Sequence, residues 1–286
     1  MKILSPAKIN LFLQVTGKRL DGYHALFSLM CCVDLCDTIS LQFGLKGIRI
    51  ESSHPQVPLD DTNLAHRAAT VFFKALNVKE GLKIFIDKSI PVAAGLGGGS
   101  SNAASVLSGL NQHYGHPFSR NRLMSMGLGL GADVPFFLFG KPALASGIGE
   151  KLEAYPGPLP FHIVVVYPGF RVSTGEVFQN LNLGLTNCEK KFKKPFSIKI
   201  DFDPGVHLCN DLEIVTASEY PVITSIKKQL LIRGALGALM SGSGSAVFGL
   251  FSDSHTAERA KQAIDENTRW DAFVCDISDG SHLGGE

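Results

Sequence analysis

A glycine-rich segment has the clearest chemical potential in this chain. Residues 91–104 contain Gly95 and the triplet Gly97, Gly98, Gly99, followed at once by Ser100 and Ser101, and an apolar stripe with helical spacing comes next. A glycine loop that leads into a helix N-terminus presents unpaired N–H groups and the positive end of the helix dipole to an anion. The segment therefore predicts a nucleotide phosphate site, with Ser100 or Ser101 able to cap the helix. A plain connecting turn is the alternative.

The loop departs from the two commonest phosphate-binding patterns. It has no Gly-Lys-Ser/Thr ending, which a P-loop requires, and it lacks the Gly-x-Gly-x-x-Gly spacing of a dinucleotide-binding fingerprint. The predicted phosphate site is therefore of a different kind.

Asp133 is the candidate general base. It lies between a glycine-rich turn and an apolar run, so its carboxylate is expected to be partly buried and to need a partner. Lys8, which interrupts the apolar segment 7–15, is the best candidate for that partner. Alternatively, Asp133 only caps a helix that has Pro135 in its first turn. One residue can also serve both purposes.

Other polar residues have weaker patterns. Lys8 and Asn10 point to one face of a strand, which could bind a ligand or simply be solvated. Tyr23 and His24 follow a turn, so their rings could stack on a flat ligand or pack over that turn. A second glycine segment, residues 241–245, could present N–H groups to an anion or be only a hairpin turn.

Strands and helices in irregular order must position these residues. We predict strands over residues 7–15, 38–43, 48–51, 82–86 and 161–167, and helices over 63–76, from the glycine loop to about 114, and over 122–126, 222–232 and 256–264. Because the order does not alternate strictly, it predicts an α+β fold rather than a doubly wound sheet. A polar, glycine-rich stretch at 146–150 divides the chain into predicted domains 1–150 and 151–286.

The composition is ordinary for a soluble globular protein. The 286 residues carry a formal net charge of +1, so bulk charge gives no reason to expect a nucleic-acid partner. The N-terminus has no secretory pattern and no apolar run could cross a membrane, so we expect a cytoplasmic protein, or a plastid-like location after loss of a targeting segment. The six scattered cysteines favour reduced thiols over a metal cluster.

Three blocks together resemble the GHMP kinases, named for galactose, homoserine, mevalonate and phosphomevalonate. They are residues 6–11, 91–104 and 241–246, and they stand in family order across essentially the whole chain. Residues 17–24 and 131–135 are similar to the branch that acts on a cytidylyl polyol diphosphate. The resemblance implies a ribosomal-protein-S5-type N-terminal lobe, a ferredoxin-like C-terminal lobe, and a cleft between them for ATP and substrate.

The resemblance also implies a role for each site residue. Asp133 would take the proton of the substrate hydroxyl, and Lys8 would hold that hydroxyl and the carboxylate in place. The residues implied for ATP binding are Pro91, Ala94, Gly95, Leu96, Gly97, Gly98, Gly99, Ser100, Ser101, Asn102, Asn63 and Lys88. Those implied for substrate binding are Asn10, Tyr23, His24, Ser173, Thr174, Phe178, Gly242, Ser243 and Gly244. Tyr23 and Phe178 would enclose a cytosine ring, whose polar edge His24 would recognise.

Mg²⁺ is expected to accompany ATP. Several relatives have a glutamate ligand after the phosphate loop, but the helix predicted from Ser101 to Tyr114 contains no glutamate. Phosphate oxygens and water are therefore expected to dominate the coordination shell, and Ser100 and Ser101 are the candidate protein ligands. We expect a monomer or weak homodimer. Two other functions stay open: a mevalonate-pathway or homoserine kinase, whose substrate offers no base for Tyr23 and Phe178, and a non-catalytic sensor, which would not need Asp133 and Lys8.

Overall fold

The computed structural model of the protein describes residues 1–186, 188 and 201–278. The strands are β1 (Lys2–Lys18), β2 (His24–Leu45), β3 (Ile48–Ser52), β4 (Gly81–Asp87), β5 (Ala143–Gly147), β6 (Lys151–Ala154), β7 (His162–Tyr167), β8 (Cys209–Asn210), β9 (Gly237–Met240), β10 (Val247–Phe251) and β11 (Asp271–Ser278). The helices are α1 (Leu64–Leu76), α2 (Gly98–His113), α3 (Arg120–Leu128), α4 (Val134–Phe139), α5 (Thr174–Gln179), α6 (Pro204–His207), α7 (Glu213–Glu219), α8 (Val222–Ile232) and α9 (Ser254–Asn267). The α+β class is confirmed.

One sheet joins the two halves of the chain. Its strand order is β3-β4-β2-β11-β7-β10-β9, and β1 and β5 also pair with β2. The last described strand, β11, makes the junction, since it is antiparallel to β7 and also pairs with β2 through Ile277 opposite Val33. The β5–β6 hairpin spans residue 150. The division into domains 1–150 and 151–286 stays a prediction.

Helix α1 shows how local sequence defines an element. The side chain of Asn63 accepts a hydrogen bond from the Ala65 N–H at the N-terminus, and Asn77 ends the helix in the left-handed conformation, with φ 55°. The buried residues recur at three- and four-residue spacing, which places one apolar face against the core: Ala65, Ala68, Ala69, Phe72 and Phe73. Helical periodicity in the sequence had predicted this element.

The glycine loop before α2 rests on a core that belongs to both halves. Ile90, Ala94 and Leu96 are almost fully buried, in one cluster with β1 residues such as Ile9 and β10 residues such as Phe248. Burial of these apolar side chains favours a single position of the loop, because any displacement would expose them to water. The loop is therefore supported from beneath by packing.

One expectation about the cysteines was wrong. Cys188 and Cys209 form a disulfide with a Cα–Cα distance of 5.6 Å, whereas Cys31, Cys32, Cys36 and Cys275 are free thiols. The pairing is tertiary: Cys209 lies in β8, and Asp211 accepts a hydrogen bond from the backbone N–H of Cys188 at 3.0 Å. Nothing in the linear spacing of the two cysteines indicates this proximity.

None of the helices in the described part of the chain is long and apolar enough to span a lipid bilayer.

Candidate active site

A cavity of about 770 Å³ lies where β1, the glycine loop, the start of α2 and the second glycine segment meet. Residues from both halves of the chain line it. The sequence-predicted residues at its wall are Lys8, Asn10, Tyr23, His24, Asn63, Lys88, Pro91, Ala94, Gly95, Leu96, Gly97, Gly98, Gly99, Ser100, Asn102, Asp133, Thr174, Phe178, Gly242 and Ser243. Segments far apart in the sequence thus share one cavity.

The start of α2 is shaped for an anion. Its N-cap is Gly97, in the left-handed conformation with φ 71°, and no side chain caps the helix. Ser100 and Ser101 lie in the first turn, so the expectation that one of them caps α2 was wrong. The first N–H groups of a helix have no intrahelical acceptor. Those of Gly98, Gly99 and Ser100, at the cavity wall, are therefore available to phosphate oxygens.

Backbone hydrogen bonds hold the glycine loop to both halves of the molecule. The Lys8 N–H donates to the Leu96 carbonyl at 2.9 Å, and the Ala246 N–H donates to the Ala94 carbonyl at 3.0 Å. The Ser241 hydroxyl donates to the Gly95 carbonyl at 3.1 Å. Gly95 has φ +80°, and a Cβ there would collide with the Ser241 carbonyl oxygen. This position therefore needs glycine for its conformation and for the close approach of the two loops.

Lys8 and Asp133 form an ion pair beside this loop. The Lys8 Nζ lies 3.6 Å from Asp133 Oδ2; the lysine side chain is 6% exposed and that of the aspartate is 36% exposed. Asp133 occupies the N-cap position of α4, yet its side chain makes no capping hydrogen bond. The carboxylate is therefore free to face the cavity. The Lys8 ammonium also donates to Asn10 Oδ1 at 2.7 Å.

The two serines after the glycines have different surroundings. Ser101 is fully buried, and its hydroxyl accepts a hydrogen bond from Ser5 at 2.9 Å. Ser100 lines the cavity, and a Cβ added to Gly131 would lie 3.7 Å from the Ser100 hydroxyl, which places it beside the turn that carries Asp133. Of the two, only Ser100 is at the cavity wall.

A buried carboxylate that sequence reasoning missed organises the end of the cavity where the nucleotide is predicted to bind. Asp37 is fully buried, pairs with the Lys88 ammonium, and accepts from the Ser89 and Ile90 N–H groups and the Asn102 side-chain amide, each at 2.9 Å. It thereby ties β2 to the segment before the glycine loop and to α2. Asp34 and Asp37 are two charges in the largely apolar segment 29–41, and this pattern could have drawn attention to Asp37, as the position of Lys8 did.

Asn63, another polar residue predicted at the nucleotide end, also has hydrogen-bond partners within the protein. Asn63 accepts from Ala65 and donates to the Pro58 carbonyl at 2.7 Å. The neighbouring wall is apolar and includes Val57, Pro58 and Leu64. An adenine ring could therefore lie against an apolar surface, while Asn63 maintains the shape of that wall.

At the opposite end of the cavity, three rings lie near the hairpin that connects β1 and β2, those of Tyr23, His24 and Phe178. Tyr23 is 60% exposed, and the imidazole of His24 stacks on Phe178 with ring centroids 5.2 Å apart and planes inclined by 23°. Burial lowers the pKa of His24, and the nearby Lys18 charge lowers it further. One face of the Phe178 ring is thus covered by an imidazole that favours its neutral form.

The second glycine segment is held firmly in place. Asn210 donates to the carbonyls of Met240 and Gly242 at 2.8 and 2.7 Å, and the Thr216 hydroxyl donates to the Ser243 carbonyl at 3.0 Å. The Ser243 hydroxyl lies 2.8 Å from that of Thr174. Gly242 and Ser243 therefore form a fixed wall of the cavity.

Three sequence-predicted residues are not brought to this cavity. Ser101 is buried as described above. Ser173 caps α5 by accepting from the Glu176 N–H, and it borders a neighbouring cavity of about 370 Å³. Gly244 closes the second loop by donating to the Ser241 carbonyl at 2.9 Å. The roles of these three residues stay predictions, as do those of the residues at the wall.

Comparison with known proteins agrees with the geometry. The family model "GHMP kinases N terminal domain" matches residues 63–141, and "GHMP kinases C terminal" matches residues 201–269. The 4-diphosphocytidyl-2-C-methyl-D-erythritol kinase of Syntrophotalea carbinolica is 50% identical over 95% of this chain and 96% of that protein. A solved 4-(cytidine 5'-diphospho)-2C-methyl-D-erythritol kinase is 33% identical over 100% of both chains, with a TM-score of 0.80. Homoserine kinase from Cytophaga hutchinsonii, 20% identical over 98% of this chain and 95% of that one, shares the fold, with a TM-score of 0.77.

Proposed function

This chain belongs to the GHMP kinase family and, within it, to the 4-diphosphocytidyl-2-C-methyl-D-erythritol kinases, and we propose that it transfers the γ-phosphoryl group of ATP to the 2-hydroxyl of that polyol, releasing the 2-phosphate and ADP. The reaction is a step in the non-mevalonate route to isoprenoid precursors. The observation that carries the proposal is the Lys8–Asp133 pair at 3.6 Å, in the same cavity as the uncapped start of α2.

We assign proton removal to Asp133. Its carboxylate faces the cavity without a capping bond, so an alcohol placed beside it can give up its proton there. A general base of this kind contributes about 10²–10⁴-fold to the rate. Lys8 holds the carboxylate and the attacking oxygen together through its charge, while Asn10 keeps the ammonium in place.

We assign neutralisation of the phosphate charge of ATP to the glycine loop. In phosphoryl transfer the protein contributes mainly by positioning the reactants and stabilising charge. The N–H groups at the start of α2 are held in place, because packing and hydrogen bonds constrain the loop. Donors fixed in this way need little reorganisation during the reaction.

The donor set fits a magnesium ion that binds together with ATP. Ser100 offers a hydroxyl at the cavity wall, beside the turn that carries Asp133. Mg²⁺ prefers such oxygen ligands and usually retains water and phosphate oxygens in its coordination shell. When bound, it would neutralise charge on the transferred phosphoryl group, with Ser100 as the protein ligand.

The aromatic end would recognise the cytosine ring. Tyr23 is available for stacking, and the face of Phe178 that does not contact His24 offers a second surface. Stacking on an aromatic side chain is worth about 1–3 kcal/mol per base, which is enough to favour a cytidylyl substrate over a bare polyol.

Release of ADP tests the proposal directly. A coupled assay compares 4-diphosphocytidyl-2-C-methyl-D-erythritol with mevalonate and homoserine, each with ATP and Mg²⁺. We expect turnover with the cytidylyl substrate alone. Turnover only with mevalonate or homoserine would overturn the substrate assignment, and ATP binding without transfer to any alcohol would indicate a sensor.

The cytoplasmic location and the monomeric or weakly dimeric state stay predictions. Size-exclusion chromatography with light scattering would test the second.

A further inference from the structure

A β-bulge interrupts β1 beside the ion pair. In the β1–β2 ladder Asn10 lies opposite Met30, but Phe12 lies opposite Leu29, so Leu11 is an extra residue on β1. A bulge breaks the regular hydrogen-bond ladder and changes the direction of nearby side chains, which is why bulges are frequent next to active sites. Here the side chain whose direction matters is that of Asn10, the hydrogen-bond acceptor for Lys8.

The hydroxyl of Ser28 bridges this bulge. Ser28 lies on β2 and is fully buried. Its Oγ donates to the Phe12 carbonyl at 2.6 Å and accepts from Asn10 Nδ2 at 2.8 Å. One hydroxyl therefore serves both the irregular backbone and the side chain that the bulge carries.

Hydrogen-bond chemistry makes this arrangement directional. A serine hydroxyl has a single proton, and here that proton goes to a carbonyl oxygen, which cannot donate one. Towards Asn10, the Ser28 oxygen can therefore only accept, so the amide nitrogen of Asn10 must face Ser28. The amide oxygen then faces the Lys8 ammonium, 2.7 Å away. The reverse amide orientation would place N–H groups against a positive charge.

We propose that Ser28 is a positioning residue for phosphoryl transfer, acting through Asn10 to set the direction in which Lys8 holds Asp133 and the substrate alcohol. The inference rests on the proposed function. Ser28 lies behind Asn10 and does not line the cavity, so it acts on the reacting atoms only through Asn10 and Lys8. Its contribution is to hold the Asn10 amide, from the nitrogen side, in the orientation that the Lys8 charge favours from the oxygen side.

Ser28→Ala removes the bridge with little change in volume. Asn10 then loses its buried acceptor, and the amide and the Lys8 ammonium can move from their positions. Small misplacements of reacting groups reduce rates severely, so we expect kcat to fall by about 10-fold with the KM for ATP unchanged. Ser28→Thr keeps the hydroxyl and should restore most of the rate.

Ser105→Ala is the matched control. Ser105 is also fully buried, and its hydroxyl has no hydrogen-bond partner among the described residues. Loss of this hydroxyl should leave kcat unchanged. An equal loss of kcat in Ser28→Ala and Ser105→Ala would mean that any buried serine-to-alanine change disturbs the enzyme, and it would overturn the proposal.

A double-mutant cycle separates positioning from a general structural effect. If Ser28 acts through Asn10, Ser28→Ala should lower kcat in the wild-type background and have no further effect in the Asn10→Ala background. Equal fold-losses in both backgrounds would show that Ser28 acts independently of Asn10 and would refute the inference.

Nuclear magnetic resonance gives a readout that needs no substrate. The side-chain amide protons of Asn10 should exchange slowly with solvent in the wild type and in Ser28→Thr, and at least about 10-fold faster in Ser28→Ala. Unchanged exchange in Ser28→Ala would contradict the proposed hydrogen bond. If the wild type fails to turn over the cytidylyl substrate, the proposed function falls, while the exchange experiment still decides whether Ser28 orients Asn10.

Discussion

The two ends of the cavity are built differently. Around the glycine loop, Asp37 and Ser101 are fully buried and Lys8 nearly so, and hydrogen bonds from both halves of the molecule hold the backbone. At the aromatic end, Tyr23 projects from a hairpin and is 60% exposed, and Phe178 lies at the end of the short helix α5. The glycine-loop end, called the rigid end below, is constrained by burial and hydrogen bonds, whereas the aromatic end consists of surface elements.

The difference indicates which part of the proposed function each end serves, phosphoryl transfer or recognition of the base. Transfer of a phosphoryl group gains from groups that are already in place, because reorganisation during the reaction would cost rate. Recognition of a base can tolerate side-chain movement on binding, because stacking needs only that two flat surfaces meet. Substitutions at the rigid end should therefore affect rate and stability, and those at the aromatic end should affect mainly substrate binding.

The largest effect is expected for Asp133→Asn. The amide cannot accept the alcohol proton, so kcat should fall by about 10²–10⁴-fold while ATP affinity is nearly unchanged. Single-turnover transfer and nucleotide titration measure the two quantities. Asp253→Asn is the matched control, since Asp253 caps α9 through the Thr256 N–H. If Asp133→Asn leaves kcat at the wild-type level, the residue only marks the start of α4.

The next effect is expected for Asp37→Asn, at the rigid end but remote from the reacting alcohol. The change leaves the buried Lys88 ammonium without its charged partner, and breaking a buried pair in this way costs about 3–5 kcal/mol of the free energy of unfolding. Because Asp37 also holds Ser89, Ile90 and Asn102, the KM for ATP should rise. Denaturant unfolding and initial-rate kinetics measure the two effects. A stable variant with wild-type ATP kinetics would show that this end is less dependent on its buried charge than the structure indicates.

A smaller effect is expected for Tyr23→Ala and for Phe178→Ala. Loss of a stacking surface worth about 1–3 kcal/mol should raise the KM for the cytidylyl substrate by about 5- to 150-fold, with little change in the KM for ATP or in stability. Leu20→Ala is the control, because Leu20 lies on the same hairpin, is fully exposed and does not line the cavity. A comparable loss of ATP affinity would remove the distinction between the two ends.

The smallest effect concerns the pH dependence of stability through His24. Its pKa is lowered in the folded protein, by burial and then by Lys18, so protonation favours the unfolded state. The contribution of the neutral imidazole is therefore fully present above the unfolded pKa of about 6.5 and is lost as pH falls below it. Unfolding of the wild type and of His24→Gln should diverge only on the acidic side. If the free energies of unfolding of the two proteins differ by a constant amount from pH 7.5 to pH 5.5, the pKa of His24 is the same in the folded and unfolded states.

Several features of the site followed from residue types alone. Glycines before a helix indicated the anion site, because only residues without Cβ allow such close backbone approach. Asp133 and Lys8 attracted attention as charges inside apolar segments, and such charges must be paired. The structure brings both into one cavity with the glycine loop. Order along the chain predicted the α+β class, and the elements confirm it.

Other features depended on tertiary contacts. The disulfide between Cys188 and Cys209 and the choice of Ser100 over Ser101 at the cavity wall have no counterpart in local sequence. The same is true of the link from Ser28 to Asn10, which exists because a bulge shifts the ladder by one residue.

The sequence by itself determined which residues could do chemistry and which elements would carry them, because composition, periodicity and turn preference act over a few neighbouring residues. Only the tertiary structure decided which polar groups are used up by the fold and which are left for a ligand. Asn63 and Lys88 are bonded to groups of the surrounding fold, whereas Asp133, although paired with Lys8, keeps its carboxylate uncapped and at the cavity wall. The reason is physical: a hydrogen bond or ion pair depends on atoms within about 3–4 Å, and folding brings such atoms together from segments far apart in the chain.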